Sequence, residues 1–300
     1  MSSTYLAATS IEEAVNALAS GARPVAGGTD LVVGARQGKA PLPDSLVAIH
    51  RIDALRGIGM RSGLLRIGAL ASHEDVEGDL LVRERFTGLA DASGIVGSHA
   101  TRHVGTLGGN VMNASPAMET GGPLICLGAQ VVLVSPRGER RVAVEDLFTA
   151  PGRTSAEADE LLTAIEVPEP ATATGSCYVR LEYRRQMEIA IVGASAAVTL
   201  ADGKVSLARV AITALAPTIH RVAAAEAALT GTHASDQAVE LAAAAAAAAS
   251  RPISDVRGSD AYRRAMAAVI TKRAIRAALQ RARGEHVPIP ASPALHAATG

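Results

Sequence analysis

Two short glycine stretches are the residues of this chain best placed to do chemistry: AGGTDL at residues 26–31 and TLGGN at residues 106–110. In the first, a short strand pattern ends at Ala26, Gly27 and Gly28 follow, and Thr29, Asp30 and Leu31 open a helical pattern. Glycines let the backbone take positive φ and approach a ligand closely. Free N–H groups at a helix start favour an anion, and the Thr29 hydroxyl adds a donor. The ligand such a loop suits is a phosphate or pyrophosphate, although a ligand-free tight turn uses the same residues. In the second stretch Thr106, Leu107 and Asn110 surround Gly108 and Gly109, with Asn113 and Ser115 just beyond. These are neutral donors, suited to a pyrophosphate whose charge is met by backbone dipoles rather than lysines. The alternative is a polar turn whose asparagines serve their own backbone. Two such loops, roughly eighty residues apart, are explained most economically by one dinucleotide held between them. Neither matches G-x-G-x-x-G or G-x-x-x-x-G-K-[ST], so a Rossmann or P-loop site is not expected.

Other chemistries find little support. His99 and His103 are four apart, but no H-E-x-x-H pattern surrounds them and Gly105 argues for a loop, so no metal centre is expected. No serine lies in a nucleophile elbow and no carboxylate dyad stands out. Cys126 and Cys177 form neither a disulfide framework nor a C-x-x-C motif, and two thiols cannot hold an iron–sulfur cluster. Arg184 to Ala190, RRQMEIA, breaks a strand pattern; it reads either as a solvated loop or as one reaching a cofactor or partner.

The elements that must position these residues follow from length and pattern. Three hundred residues suffice for two domains, and a 48% hydrophobic fraction with only 2% aromatics implies a core of Ala, Val, Leu and Ile. Lys+Arg and Asp+Glu are both 29, with no basic stripe, so nucleic acid is not an expected partner. No apolar run reaches the roughly 18 residues of a membrane span, and MSSTYLAATSIEEA lacks the regions of a signal peptide. A cytoplasmic protein with reduced thiols is expected.

Ser10-Ile-Glu-Glu13 fits a capping box before a helix over 11–19. Strands are expected at 23–26, 45–49, 64–70, 131–134, 141–144 and 161–167, with a three- to five-residue hairpin loop at Ser135–Glu139 and mainly helix over 72–98. TLGGNVMNASP is read as a loop. The Pro/Ala/Thr/Gly stretch 168–175 marks a boundary. Beyond it, strands at 178–183, 195–200 and 205–215, with a tight Asp202-Gly203 turn, precede helices over 219–229, 235–249 and 259–283. The last helix is read with Tyr262, Met266, Val269, Ile270, Ile275 and Leu279 on its apolar side, and an extended tail from 288 to 300 ends the chain.

Taken in order, AGGTDL, ATRHVGTLGGNVMNASPAMET, ELLTAIEVP, YRRQMEIAIVGASAAV and SDAYRRAMAAVITKRAI resemble the FAD-binding medium subunits of the molybdenum hydroxylases, a group that includes carbon monoxide and xanthine dehydrogenases. The resemblance covers roughly residues 5–285. It implies an α+β architecture: a two-subdomain FAD-binding fold of the PCMH (vanillyl-alcohol-oxidase-like) type, then a small antiparallel sheet with helices. The matching domains are 1–175, with subdomains about 1–55 and 56–175, and 176–287. Both glycine loops would then hold the FAD pyrophosphate, through Ala26 to Leu31 and Thr106 to Asn110. Glu119 would stand where the family commonly has a ribose-contacting aspartate, and Arg102 precedes the second loop. Ser115, Arg153, Ile165 in ELLTAIEVP, Arg184 and Ile189 are further cofactor-binding candidates by position. The implied partners are an iron–sulfur small subunit and a molybdopterin large subunit, in a dimer of heterotrimers. The implied activity is electron relay through FAD to an external acceptor, with molybdopterin and [2Fe-2S] on the partners. A stand-alone flavin oxidoreductase and a non-catalytic assembly subunit are the competing readings.

Overall fold

The computed structural model describes residues 4–297. The first unit contains strand β1 (Thr4–Ala7), helix α1 (Ile11–Ala19), strand β2 (Arg23–Val25), helix α2 (Leu31–Arg36) and strand β3 (Ser45–Ala48). The strands form a parallel sheet in the order β1-β3-β2. Ser10 caps α1 by accepting the Glu13 N–H at 3.1 Å, but the Glu13 carboxylate returns to the N–H of Thr9, one residue before the position a capping box uses. Ala14, Val15 and Leu18 of α1 bury against Val47, Ile49 and Leu55.

Strands β4 (Ile58–Arg61) and β5 (Leu64–Gly68) lead into six short helices: α3 (His73–Gly78), α4 (Leu80–Arg85), α5 (Thr87–Ser93), α6 (His99–Val104), α7 (Leu107–Asn113) and α8 (Gly121–Cys126). There follow β6 (Gln130–Ser135), β7 (Gly138–Ala143), the single turn α9 (Val144–Leu147), the small pair β8 (Phe148–Ala150) and β9 (Arg153–Thr154), and β10 (Leu161–Pro168). The main sheet is antiparallel in the order β4-β5-β10-β6-β7, and one face packs on α5, α7 and α8 around Leu65, Ile67, Leu107, Val111, Leu124 and Leu133.

The stretch 72–98 is mainly helical, as expected, in three short helices, of which Ser72 and Asp79 each cap one through the side chain. Two expectations change here. The β6–β7 connection is the two-residue turn Pro136-Arg137, not a longer loop. TLGGN is not a free loop: Thr106 is the N-cap of α7, accepting the Gly109 N–H at 3.0 Å, so both glycines lie in a helical first turn.

The C-terminal unit is the antiparallel sheet β11 (Thr174–Leu181), β12 (Val192–Ala201), β13 (Lys204–Thr213) and β14 (His220–Arg221), backed by α10 (Ala223–Leu229), α11 (Asp236–Ala249) and α12 (Asp260–Ala282). Asp202 and Gly203, both at positive φ, make the tight β12–β13 turn. Half of the buried residues of α12 are alanines, beside Ile270, Ile275, Leu279, Arg263 and Thr271, while Tyr262 is exposed. This small-residue face lets the helix lie close on the sheet. A Cβ at Gly175 would collide with the backbone of Ala278 and Ala282. The expected extended tail is instead helix α13 (Ala291–Ala297), docked by Ser292, whose Oγ accepts the Arg180 N–H at 2.9 Å. Residues 298–300 of that expectation lie outside the described residues.

Candidate functional site

The two glycine stretches meet. A Cβ on Gly27 would overlap the Val104 carbonyl at the end of α6, so only glycine lets β2 run against the residue that leads into TLGGN. Gly108 has the same role deeper in the fold, where a Cβ would stand 2.6 Å from the Ala69 carbonyl oxygen. The backbone seals that contact: the N–H groups of Leu107 and Gly108 donate to Ala71 and Ala69 at 2.9 and 3.1 Å. Gly28, at φ +70°, turns the chain from β2 toward α2.

The two stretches differ in what they offer a ligand. Among the described residues, the backbone N–H groups of Gly27, Gly28, Thr29, Asp30 and Leu31 donate to no protein acceptor. Successive unbonded N–H groups in a turn make a concave anion cradle. In the second stretch the N–H groups of Leu107 through Asn110 are all occupied, by Ala71, Ala69, the Thr106 hydroxyl and the Thr106 carbonyl. Unbonded backbone donors are therefore concentrated at residues 27–31, whereas the donors left at 107–110 are on side chains. Asn110 Oδ1 accepts the hydroxyl of Thr120 at 2.6 Å, which fixes the amide and leaves its NH2 to donate. Helices α2 and α7 have six and seven residues, so their dipoles add little beyond these N–H groups.

Helix α6 is the wall shared by the site. Its C-terminal end meets Gly27. At its N-terminal end the Met187 N–H donates to the Gly97 carbonyl at 2.8 Å, and Met187 Sδ lies 3.7 Å from the Thr101 hydroxyl. The RRQMEIA loop therefore lies beside the same helix, with Arg184 and Ile189 exposed. Arg184 is held by Glu188 Oε2 at 3.1 Å and the Met187 carbonyl at 2.7 Å. Gly152 N–H bonds Ala114 at the end of α7, which places exposed Arg153 next to the second stretch. Ser115 accepts the Ala117 N–H in the turn that follows α7.

Three candidate residues are committed elsewhere. Arg102 is buried, its guanidinium meeting Glu77 at 3.2 Å, His99 at 3.0 Å and the Val96 carbonyl. Ile165 is wholly buried in the main-sheet core, paired with Ile67 and Val131, so its side chain cannot line an open site. Glu119 points into the seam between the two halves of the chain. Its Oε1 lies 2.5 Å from Arg180 Nη1, and burial pushes its carboxyl upward against the pull of that guanidinium. His99 and His103 do share a helix, but His103 is exposed beside Glu74. Among the described residues no group of three or more His, Cys, Asp or Glu is placed to hold a metal.

The sequence reading missed Thr120, which orients Asn110, and the buried pair Asp91–Arg281. Two guanidinium nitrogens of Arg281, at 2.6 and 3.0 Å, and the N–H groups of Tyr178 and Ala291 converge on the Asp91 carboxylate. Nothing in local patterning marks an aspartate whose partners lie up to 200 residues away.

Residues 1–170 match the family model described as the FAD binding domain in molybdopterin dehydrogenase, and residues 178–278 match the CO dehydrogenase flavoprotein C-terminal domain. The chain belongs to the FAD-binding medium subunits of the molybdenum hydroxylases. It is 33% identical to the carbon monoxide dehydrogenase medium chain of Hydrogenophaga pseudoflava over 92% of this chain and 97% of that one. It is 31% identical to the xanthine dehydrogenase FAD-binding subunit of Escherichia coli O157:H7 over 72% and 75% respectively. Among solved structures, carbon monoxide dehydrogenase from Hydrogenophaga pseudoflava superposes with a TM-score of 0.90 at 34% identity, covering 94% of this chain and 98% of that one. Quinoline 2-oxidoreductase from Pseudomonas putida 86 gives 0.87 at 29%, covering 94% and 98%. The medium-subunit cofactor is FAD, and the residues at 27–31 suit its diphosphate: five successive backbone N–H groups there donate to no acceptor among the described residues.

Proposed function

We propose that Gly27 to Leu31 cradle the FAD pyrophosphate through their N–H groups, with Thr29, Thr106 and Asn110 donating from their side chains. The single observation behind this is the contrast between the two stretches: one has five free backbone donors, and in the other only the Thr106 N–H lacks an acceptor among the described residues. Gly108 and Leu107 act by packing. Ser115 and Arg153 flank the second stretch, and Arg184 and Ile189 lie on the loop beside α6, which we assign to the flavin-ring side of the site. Glu119 and Arg102 support the site from behind through Arg180 and Glu77. We divide the chain at 1–175 and 176–287, a division supported by the C-terminal sheet, whose first strand begins at Thr174, two residues before that boundary; α13 bonds to both parts, through Ala291 to Asp91 and through Ser292 to Arg180.

In this reading the chain is one component of a three-subunit enzyme, and two such trimers pair. FAD bound here supplies the capacity to collect single electrons from iron–sulfur clusters of a small subunit and release them in pairs to an acceptor. The chain's own residues bind and orient that cofactor. The two thiols, Cys126 and Cys177, are free and buried. No helix among the described residues is long and apolar enough to cross a membrane, and we place the complex in the cytoplasm. The test is co-purification. A tagged chain expressed with its iron–sulfur and molybdopterin neighbours should bring down iron, molybdenum and flavin together, with the mass of a doubled heterotrimer. Substrate oxidation by the isolated chain, without partners, would overturn the relay reading.

A further inference from the structure

We propose that His73 is a cofactor contact at the junction of the two glycine stretches, donating a hydrogen bond from its Nε2–H to a phosphate oxygen of FAD. The proposal rests on the FAD reading above.

His73 is the first residue of α3 and only 2% exposed. Its own N–H donates to the Gly105 carbonyl at 3.1 Å, which fixes its backbone to the residue before TLGGN. Its ring reaches the same place. The ring carbon Cδ2 and the Thr29 hydroxyl oxygen each lie 3.5 Å from the point where a Cβ on Gly105 would stand. The imidazole, the bare face of Gly105 and the first loop with its unbonded N–H groups therefore share one junction.

The hydrogen-bond inventory decides which nitrogen carries the proton. Nδ1 is buried and has no partner. A buried N–H without an acceptor is the rarer and costlier orphan, so the proton belongs on Nε2. Nε2 is bonded to Cδ2, the atom nearest Gly105 and Thr29. Burial and the neighbouring Arg102 charge hold the ring neutral, with a pKa lowered to about 4. A neutral donor suits its surroundings. Arg102, the cation beside it, is already held by Glu77, His99 and the Val96 carbonyl. A phosphate at the junction is thus met by N–H and O–H dipoles, and His73 adds one more neutral donor to them.

The test uses three variants in the assembled complex. Glutamine places an N–H near the position of Nε2, asparagine reproduces only the Nδ1 side, and leucine keeps the volume without either. FAD is removed and re-added, and its dissociation constant is followed by flavin fluorescence alongside the 31P resonances of the bound diphosphate. The expected pattern is about tenfold weaker FAD for His73→Leu and His73→Asn, from loss of one hydrogen bond, with shifted 31P signals and near-native affinity for His73→Gln. Equal affinities in all three, or Gln and Asn alike, would show a residue that only fills space. A wild-type complex that holds no FAD would remove the ligand and the proposal with it, and is told apart because no variant need be compared.

Discussion

Arg180 Nη1 lies 2.5 Å from Glu119 Oε1, joining the first C-terminal strand to the segment just after the second glycine stretch. Arg180 is fully buried, and Glu182 occupies its Nε. Removing the guanidinium leaves two buried carboxylates without a cation. Arg180→Met should therefore cost about 3–5 kcal/mol. Glu119→Gln keeps an acceptor oxygen and should cost only about 1–2 kcal/mol. Urea denaturation of the two variants checks the order, which would reverse if Glu119 made its main contact with the cofactor rather than with Arg180.

Gly27→Ala should lower flavin content sharply, because the new methyl meets the Val104 carbonyl and pushes the cradle from α6. Gly34→Ala is the matched control. It lies in α2 with nothing within 4 Å of its Cβ, and alanine should raise stability by about 0.5–1 kcal/mol while leaving flavin in place. Flavin absorbance per chain and thermal melting of both variants separate the two outcomes.

His73 predicts a specific acid response. Its folded pKa, about 4, lies below the ordinary histidine value of 6.5. The unfolded chain therefore binds the extra proton first, and stability is full above about pH 6.5 and falls as the pH drops toward 4. Over that window the loss is about 3 kcal/mol. Burial sets the direction first, and the charge of Arg102, itself paired with Glu77, pushes the same way. Stability of the flavin-free chain measured against pH should lose this component in His73→Gln, since a phosphate at Nε2 would itself favour the protonated ring.

Asp91→Ala should cost about 3–5 kcal/mol, since it leaves the buried Arg281 charge without its counter-ion and two N–H groups unpaired inside the protein. It should also free the strap. Hydrogen exchange at residues 291–297 should quicken more than exchange in β12, and equal acceleration in both would mean general unfolding instead.

Much of this molecule is legible in the chain. The glycine pairs, the Asp202-Gly203 turn and the α1 cap rest on residue types with narrow physical uses, and they appear where those uses require. The helical state of TLGGN is not legible, because glycine is a poor helix former and only the Thr106 cap and the bonds to Ala69 and Ala71 hold it. The buried face of α12 escapes a sequence reading for a related reason: large apolar residues signal a core face more strongly than alanine, yet close packing over Gly175 favours the smaller side chain. Family position places Glu119 and Ile165 at the cofactor, but position says nothing of a partner such as Arg180, sixty-one residues further on. The free donors at 27–31 can be suspected from AGGTDL and counted only in the structure.

The most direct measurement is the flavin itself. The complex is purified, the flavin released by heat and separated by chromatography, and its amount set against the protein. One FAD per chain, no FMN, and loss of that FAD in a Gly27→Val variant that still assembles is the expected result. An assembled complex carrying FMN, or one whose FAD survives Gly27→Val unchanged, would contradict a dinucleotide held by its diphosphate between these two stretches.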